Sequence, residues 1–363
     1  MNISERLSNR KARLSQQDLL ELRKLDRSEV IKLPDAMKML YFFSLQAKHI
    51  KLERVAKDLL RLLCPHNEIG ILSLVGATGV GKTTLVVHLI NSIIYESKDA
   101  NDSDSIPLIY IAIAANGEKS ISWTTIYEKI LNKANEILIE KKQSSVNDGK
   151  VMSINPRRFK TLAALRESVE SMLTNRKVQL LVLDEAVHLL RFGSYSAIMD
   201  TIKSLCDQSQ TKILMIGSFD LIDLATDYAQ VARRSEILHF ERYYKDRNSD
   251  RRQFKILVAK LQKCWPCIEV PNFVAISNEL LDVSLGCVGL LKALMLGALS
   301  QQLANNGKWH VRMLSKAAKS VKALEKIRIE IENGEKKALV GTYGQSIFSG
   351  EYLKKLEAKM HAK

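Results

Sequence analysis

Apolar and polar residues alternate along the middle of the chain in a way that predicts strands separated by helices. Short apolar runs occur at 72–75, 107–113, 178–183, 212–216 and 237–240, and stretches with helical spacing of apolar residues lie between them. Near-continuous apolar runs are typical of strands buried on both faces, which occur in parallel sheets. The pattern therefore predicts an α/β fold built on a five-stranded parallel sheet.

The two ends of the chain have helical patterns without strands. Residues 1–65 are basic and carry apolar residues at helical spacing, so we expect an N-terminal helical extension before an α/β domain over 66–245. A charged segment follows the last apolar run, and the pattern beyond it predicts a helical lid over 246–335. Residues 336–363 are expected to form a C-terminal tail with a short basic helix.

The segment after the first apolar run has the composition of a phosphate-binding loop. It consists of Gly76, Ala77, Thr78, Gly79, Val80, Gly81, Lys82, Thr83 and Thr84. Glycines allow backbone N–H groups to curl around an anion, and the helix that follows directs its positive end at the same anion. We therefore expect this loop to bind ATP, with Lys82 neutralising the outer phosphates and Thr83 binding Mg²⁺.

Two carboxylates, Asp184 and Glu185, follow the third apolar run. In an open parallel sheet this position lies at the carboxyl edge, beside the phosphate loop, where such folds bind ligands. Asp184 is predicted to hold Mg²⁺ through water, and Glu185 is predicted to polarise the attacking water. The sequence therefore predicts a site that can hydrolyse ATP.

Two further places are candidates for contact with the γ-phosphate. If the fourth strand lies between the first and the third, Ser218 at its tip can sense that phosphate; the alternative is an ordinary turn serine. Arg233 and Arg234 precede the last strand, where an arginine typically points toward the nucleotide of a neighbouring subunit and stabilises the phosphoryl group in transfer. The alternative is a surface pair bound to local carboxylates. An arginine finger would require an oligomer.

Charge and cysteine content limit the partners and the location. The chain has 55 Lys and Arg against 40 Asp and Glu, a net charge of +15, which favours an acidic polymer such as DNA or RNA as a partner. A basic protein without such a partner is the alternative. The start of the chain is too polar for a signal peptide, and no apolar run approaches the ~18 residues of a membrane helix, so we expect a cytoplasmic protein without a membrane partner. Five scattered cysteines, including Cys264 and Cys267, indicate reduced thiols.

The order of these parts resembles that of the AAA+ ATPases, and within them the chain resembles the TniB/TnsC family of transposition regulators. The resemblance covers roughly residues 40–330 and is strongest in the segments 76–84, 181–190, 216–221 and 230–240. It implies ATP-dependent rings or filaments on double-stranded DNA, which receive a target-selecting protein and pass the site to a transposase. It also implies that Lys292 acts as a sensor of the nucleotide in the lid.

In AAA+ assemblies, the loops between the second strand and the strand with the acidic pair face the ring axis. In this chain those loops carry Lys119, Lys150, Arg157, Arg158 and Lys160. Such residues suit contacts to DNA phosphates without reading the base sequence. A solvated loop is the alternative.

Other functions share part of this pattern. A motor helicase is disfavoured because the histidine follows the acidic pair one place late and the Ser-Ala-Thr coupling element is missing after the fourth strand. An AAA+ initiator or helicase loader has the same core and a basic lid. A nucleotide-switched signalling ATPase that does not bind DNA is a third possibility, and a test of DNA binding separates it from the others.

Overall fold

The computed structural model describes residues 16–64, 67–86, 89–90, 105–113, 122–134, 161–190, 194–226 and 234–342. The chain divides into two compact units. The sheet unit comprises Val55–Gly76, Leu85–Phe240 and Asn333–Lys363, and the helical unit comprises Met1–Arg54, Ala77–Thr84 and Glu241–Glu332. The domain boundaries expected from the sequence stay a prediction.

The sheet unit contains five parallel strands in the order β2-β3-β4-β1-β5. They are β1 (Ile71–Val75), β2 (Leu108–Ala112), β3 (Leu180–Asp184), β4 (Lys212–Gly217) and β5 (Ser235–His239). Every residue of β1 and β3 is buried, as expected of inner strands covered on both faces. The predicted α/β fold with a five-stranded parallel sheet is confirmed, and β4 lies between β1 and β3 as expected.

Helices with described bounds occur in both units. They are α1 (Gln16–Lys24), α2 (Arg27–Val30), α3 (Asp35–Ser44), α4 (Ile50–Leu63), α5 (Trp123–Lys133), α6 (Leu162–Asn175), α7 (Val187–Leu190), α8 (Tyr195–Ser209), α9 (Leu221–Thr226), α10 (Asn248–Lys263), α11 (Ser277–Val283), α12 (Val288–Ala304), α13 (Arg312–Ala317) and α14 (Val321–Thr342). Hydroxyl caps begin α5 and α6, since Ser122 and Thr161 each accept a backbone N–H at 3.3 Å. These two helices pack against each other in the sheet unit.

A lysine at the start of β4 holds the segment that precedes β1. The ammonium group of Lys212 donates to the backbone carbonyl oxygens of Leu62, Cys64, Asn67 and Ile69, each at 3.0 Å. Burial lowers the pKa of Lys212, and the carbonyl oxygens replace the acceptors that water would otherwise supply. The lysine therefore joins the end of α4 to the sheet.

Helices from both ends of the chain share one hydrophobic core in the helical unit. Phe42 of α3 packs edge-on against Trp265, with ring centroids 5.1 Å apart, and Trp265 also contacts Phe273 and Trp309. The indole N–H of Trp265 donates to Gln302 at 2.8 Å, so the polar atom of this buried ring has a partner. The helices α1, α2 and α3 therefore fold onto the helices of the predicted lid.

The loop that contains the cysteine pair is held by an arginine from α2. The guanidinium group of Arg27 donates to the carbonyl oxygens of Trp265 and Cys267 at 3.0 and 2.7 Å. Both Cys264 and Cys267 are free thiols, and burial raises the pKa of Cys267. A raised pKa disfavours the thiolate form on which the redox chemistry of a cysteine depends.

Helix α12 is the most apolar helix of the lid. Its residues Leu291, Met295 and Leu299 are buried in the core of the helical unit. Across the described part of the chain, none of the helices taken singly has the length and apolar character needed to span a membrane, whereas α11 and α12 meet these criteria only as a pair bent by 108°.

His49 is a buried histidine between α3 and α4. Its Nδ1 accepts hydrogen bonds from the Tyr243 hydroxyl at 3.1 Å and from the Leu52 N–H at 3.4 Å, which requires an unprotonated nitrogen. Burial, assisted by the charges of Lys51 and Lys260, lowers the pKa of His49 to about 4. The ring is therefore neutral in the folded protein at neutral pH.

We predict that His49 makes the protein less stable in weak acid. Its pKa is about 4 when folded and 6.5 when unfolded. Because the unfolded chain binds the proton first, the free energy of unfolding should fall as the pH drops from about 6.5 to about 4. The expected loss between pH 7 and pH 5 is about 2 kcal/mol, measured by urea denaturation. The His49→Gln variant should not show this loss of stability in acid. The prediction is contradicted if the stability of the variant depends on pH in the same way as that of the unchanged chain.

Candidate nucleotide-binding site

The phosphate loop follows directly on β1. Gly79 and Gly81 have φ values of +81° and +116°, a region that residues with a Cβ rarely adopt. The Val80 N–H donates to the Ala77 carbonyl oxygen at 3.2 Å and closes a turn, and helical residues begin at 82. The two glycines therefore give the loop the curled backbone that an anion-binding loop requires.

Lys82 folds back over the loop. Its ammonium group donates to the carbonyl oxygen of Ala77 at 3.0 Å. Of the two threonines that follow, Thr83 is exposed and Thr84 is half-buried. The ammonium group is thus held at the loop by a neutral acceptor, and a phosphate oxygen would compete with that acceptor because a charged acceptor binds an ammonium group more strongly.

The first turn of α12 contacts the phosphate loop within the helical unit. The Gly289 N–H donates to the Gly79 carbonyl oxygen at 2.6 Å. A Cβ at Gly289 would lie 2.6 Å from the same oxygen, and a Cβ at Gly79 would lie 3.5 Å from the nitrogen of Leu290. Residue 289 must therefore be glycine for the helix to approach the loop this closely, a role that its position in the sequence did not reveal.

Asp184 ends β3 with a buried carboxylate that is held by two donors. The Tyr110 hydroxyl donates to Oδ2 at 2.8 Å, and the Glu185 N–H donates to Oδ1 at 2.8 Å. Burial and this carboxylate raise the pKa of Tyr110, so the hydroxyl keeps its proton and acts as a donor. The carboxylate is therefore fixed in orientation at the end of the strand.

Tyr110 was missed by the sequence reasoning. It belongs to the edge strand β2, where half-buried and buried residues alternate, and it pairs in register with Val182, two residues before Asp184. A polar aromatic residue inside an apolar run was the available signal. Its importance depended on the pairing of β2 with β3, which the sequence did not show.

Glu185 adopts an unusual backbone conformation. Its φ is +55°, in the left-handed region that residues other than glycine seldom occupy. Its carboxylate is 63% exposed and lies 3.8 Å from Nε2 of His188. Strained backbone of this kind is concentrated at functional sites. Here it turns the chain sharply after β3, so that the carboxylate of Asp184 is buried and that of Glu185 is exposed.

Ser218 follows the last residue of β4. Its hydroxyl donates to Asp220 at 3.0 Å within the same turn. The neighbouring Ala186 N–H donates to the Ile216 carbonyl oxygen, which joins the ends of β3 and β4. The position of Ser218 after β4 agrees with the expectation, its hydrogen bond is that of a turn serine, and the sensing role stays a prediction.

Arg234 lies at the amino end of β5. Its guanidinium group forms an ion pair with Asp207 at 2.8 Å, and both side chains are partly exposed. This is the local pairing that the sequence left open as the alternative to an arginine finger. Arg233 lies outside the described residues, and the finger role of either arginine stays a prediction.

Lys292 lies one turn into α12. Its ammonium group donates to the carbonyl oxygens of Phe43 and Leu45 at 2.6 and 2.5 Å, at the end of α3. Burial, with a smaller effect of Arg23, lowers the pKa of Lys292 to about 8. The lysine thus satisfies carbonyl groups that the end of a helix leaves without partners. Its predicted role as a nucleotide sensor is untested.

The predicted DNA contacts cannot be placed. Lys119, Lys150, Arg157, Arg158 and Lys160 lie outside the described residues. They therefore stay predictions.

The donor groups at the end of the sheet suit magnesium bound together with phosphates. In the described part of the chain there is no group of three or more His, Cys, Asp or Glu side chains that could hold a metal ion by itself. Mg²⁺ in nucleotide sites needs only one or two carboxylates, since phosphate oxygens and water complete its coordination. The fixed carboxylate of Asp184 fits this requirement.

A parallel sheet in this strand order, with a glycine-rich loop and lysine after β1 and an acidic pair after β3, defines a P-loop NTPase fold of the AAA+ type. Residues 66–224 match the family model of an AAA domain. A comparison with curated proteins found no match. Membership of the TniB/TnsC family stays a prediction.

Several solved structures are similar in fold. The ORC2 protein of Aeropyrum pernix is 15% identical over 76% of this chain and 69% of its own, with a TM-score of 0.49. The Walker-type ATPase of Pyrococcus abyssi is 17% identical over 82% of this chain and 79% of its own, with a TM-score of 0.47. Domain III of the Thermotoga maritima replication initiation protein DnaA is 13% identical over 77% of this chain and 94% of its own, with a TM-score of 0.44. Likeness at this level concerns the fold and does not extend to partners.

We predict that Gly289→Ala weakens the binding of ATP. The added methyl group would collide with the Gly79 carbonyl oxygen, so the helix or the loop must move and the N–H groups of the loop lose their alignment. The affinity for a fluorescent ATP analogue should fall about tenfold, or about 1.4 kcal/mol, in a binding titration. Ser300→Ala, at an exposed position of the same helix, is the control. Equal affinities for the two variants would show that the contact does not shape the loop.

Proposed function

We propose that this chain is an ATPase that binds ATP with Mg²⁺ and assembles on double-stranded DNA when ATP is bound. The observation that carries the proposal is the placement of the phosphate loop after β1 and of Asp184 and Glu185 after β3, with β4 between the two strands. Parallel strands direct their carboxyl ends to one edge of the sheet, where α/β folds bind ligands.

Each residue of the site has a separate role in this proposal. The loop N–H groups and Lys82 would hold the phosphates, and Thr83 and Asp184 would hold the magnesium ion. Magnesium, when bound, offsets the negative charge of the phosphates. Glu185 would accept a hydrogen bond from the attacking water and orient it, since its carboxylate is exposed and lies 3.8 Å from Nε2 of His188, too far for a short ion pair with that ring.

Assembly would complete the site. Arg233 or Arg234 of one copy would reach the nucleotide of the next copy and stabilise the charge that develops on the phosphoryl group. The ion pair of Arg234 with Asp207 would have to break for this exchange, at a small cost, because both partners are partly exposed and such pairs contribute only about 0–1 kcal/mol. A phosphate group would be the stronger partner.

DNA is the proposed support for assembly. The net charge of +15 supports a polyanionic partner, and the loops with Lys119, Lys150, Arg157 and Arg158 would contact its phosphates. The resemblance of the chain to transposition regulators supports a role in target choice, in which the assembly links a target-selecting protein to a transposase. Hydrolysis of ATP would then dismantle the assembly.

We predict that Lys82→Ala abolishes ATP-dependent assembly on DNA, because the loop loses the cation that neutralises the phosphates. Electron microscopy of the protein with long duplex DNA should show rings or filaments only for the unchanged chain with a non-hydrolysable ATP analogue. Lys203→Ala, which removes a partly exposed cation elsewhere, is the control. Normal filaments of the Lys82→Ala variant would rule out the nucleotide switch.

We predict that Glu185→Gln traps the assembly on DNA. The amide keeps the size of the side chain and cannot polarise water as a carboxylate does, so ATP should bind and hydrolysis should fall by roughly 10²-fold or more. Phosphate release and the lifetime of DNA complexes after dilution measure the two effects. Glu167→Gln, at an exposed position of α6, is the control. Rapid dissociation of the Glu185→Gln complexes would contradict the proposed link between hydrolysis and disassembly.

The competing functions give different results in the same experiments. A nucleotide-switched signalling ATPase would hydrolyse ATP and would form no complex with DNA, whichever nucleotide is bound. An initiator or helicase loader would assemble on DNA as proposed, and a pull-down with purified transposase or replicative helicase would distinguish it by the partner retained.

A further inference from the structure

The end of the lid carries a run of exposed cations. Between residues 308 and 326 there are six cations and one carboxylate, Glu325, and all six cations are exposed. We term these six residues the basic surface: Lys308, Arg312, Lys316, Lys319, Lys322 and Lys326. The surface includes α13, the turn before it and the first turns of α14.

None of the six cations lies within 4 Å of a carboxylate in the described part of the chain. The one acidic side chain of the segment, Glu325, is paired instead with Arg328 at 3.8 Å. Exposed cations elsewhere do form pairs, as Lys245 does with Asp282 and Lys337 does with Asp223. The basic surface is therefore a concentration of positive charge that the described residues leave uncompensated.

The helix α13, which carries two of these cations, is firmly packed. Met313 is buried, and a Cβ at Gly297 of α12 would lie 2.9 Å from the Cβ of Ala317, so α13 lies directly against α12. Arg312 and Lys316 are one turn apart on α13 and line one groove together with His310. The charges of Arg312 and Lys316 are thus presented from a packed helix.

The start of α14 goes against the usual distribution of charge in helices. Acidic residues are favoured in the first turn because the helix N-terminus carries a partial positive charge. The first turn of this 22-residue helix has no acidic residue, and Lys319 and Lys322 lie beside it. An unfavourable local choice without compensation within the protein is typical of a functional position. An external anion would provide the compensation.

The absence of a free aromatic side chain indicates which polyanion fits. Trp309 is the only Phe, Tyr or Trp between residues 308 and 326. Its ring packs against Trp265 and Phe273 in the core, with centroids 6.3 and 5.5 Å away. Proteins that bind single strands stack bases on exposed aromatic rings. The basic surface offers cations without such rings, which suits the backbone of a duplex.

We infer that the basic surface binds the phosphate backbone of double-stranded DNA, independently of base sequence. This site rests on the proposed function and adds a second DNA-binding region, in the lid, to the loops of the sheet unit. The six cations would bind successive phosphates, so this part of the affinity depends on counterion release and on salt.

The test compares two triple variants that lose the same charge. Lys316→Gln, Lys319→Gln and Lys322→Gln are combined in the surface variant, and Arg252→Gln, Lys255→Gln and Lys263→Gln of α10 are combined in the control, all at exposed positions. Binding to a labelled 40-base-pair duplex is measured by fluorescence anisotropy between about 50 and 200 mM salt, with and without a non-hydrolysable ATP analogue. Circular dichroism and thermal unfolding confirm that both variants fold.

The surface variant should bind duplex DNA at least roughly tenfold more weakly at 100 mM salt, and the slope of log affinity against log salt should shrink by about 2.7, or about 0.9 for each phosphate that a lysine no longer neutralises. The control should bind within about twofold of the unchanged chain at that salt. Replacing the same three lysines with arginine should restore binding. Equally weakened binding in the surface and control variants would overturn the inference, because net charge alone would then explain the effect.

Other outcomes separate this inference from the proposed function. If the unchanged chain binds DNA only with the ATP analogue and the surface variant matches the control, the inference fails and the proposed function stands. If the surface variant loses affinity but ATP has no effect on binding, the inference stands and the proposed function fails. Binding of the same variants to vesicles of phosphatidylserine is measured as well. If the surface variant loses binding to the vesicles while its binding to DNA is unchanged, the surface is assigned to a membrane and the inference is overturned.

Discussion

The parallel pairing of β1, β4 and β3 is the constraint on which the nucleotide site depends. In parallel strands every carboxyl end reaches the same edge of the sheet, so β1 and β3 both end where a ligand can meet them. β4 separates these strands and joins the end of β3 through the Ala186 N–H. The ends of β1 and β3 are remote in sequence, and without this pairing they would have no common edge.

Backbone carbonyl groups determine which lysines remain available to a partner. The ammonium groups of Lys82, Lys212 and Lys292 all donate to carbonyl oxygens of the protein. Lys212 and Lys292 each hold a separate chain segment in place through these bonds. Burial lowers the pKa of both lysines. Lys82 differs because its neutral acceptor belongs to the phosphate loop itself. The six cations of the basic surface are exposed, so they stay available to an external anion.

Helix α12 connects three parts of the helical unit. Its first turn contacts the phosphate loop at Gly79, Lys292 holds the end of α3 one turn later, and the middle of the helix lies against α13 at Gly297. Close-packed elements move together, since a packed core does not deform continuously. The phosphate loop, the end of α3 and α13 are therefore linked through direct contacts with one helix.

The sequence by itself determined the sheet, the phosphate loop and the acidic pair. Burial on both faces requires continuous apolar runs, and phosphate binding requires glycines and a lysine at fixed spacing, so both features can be read from short segments. Only the tertiary structure decided that Tyr110 holds Asp184, that Gly289 meets Gly79, and that Lys292 bonds to the end of α3. Each of these contacts joins residues far apart along the chain. A local sequence pattern therefore does not show which distant carbonyl or carboxylate group a side chain will contact.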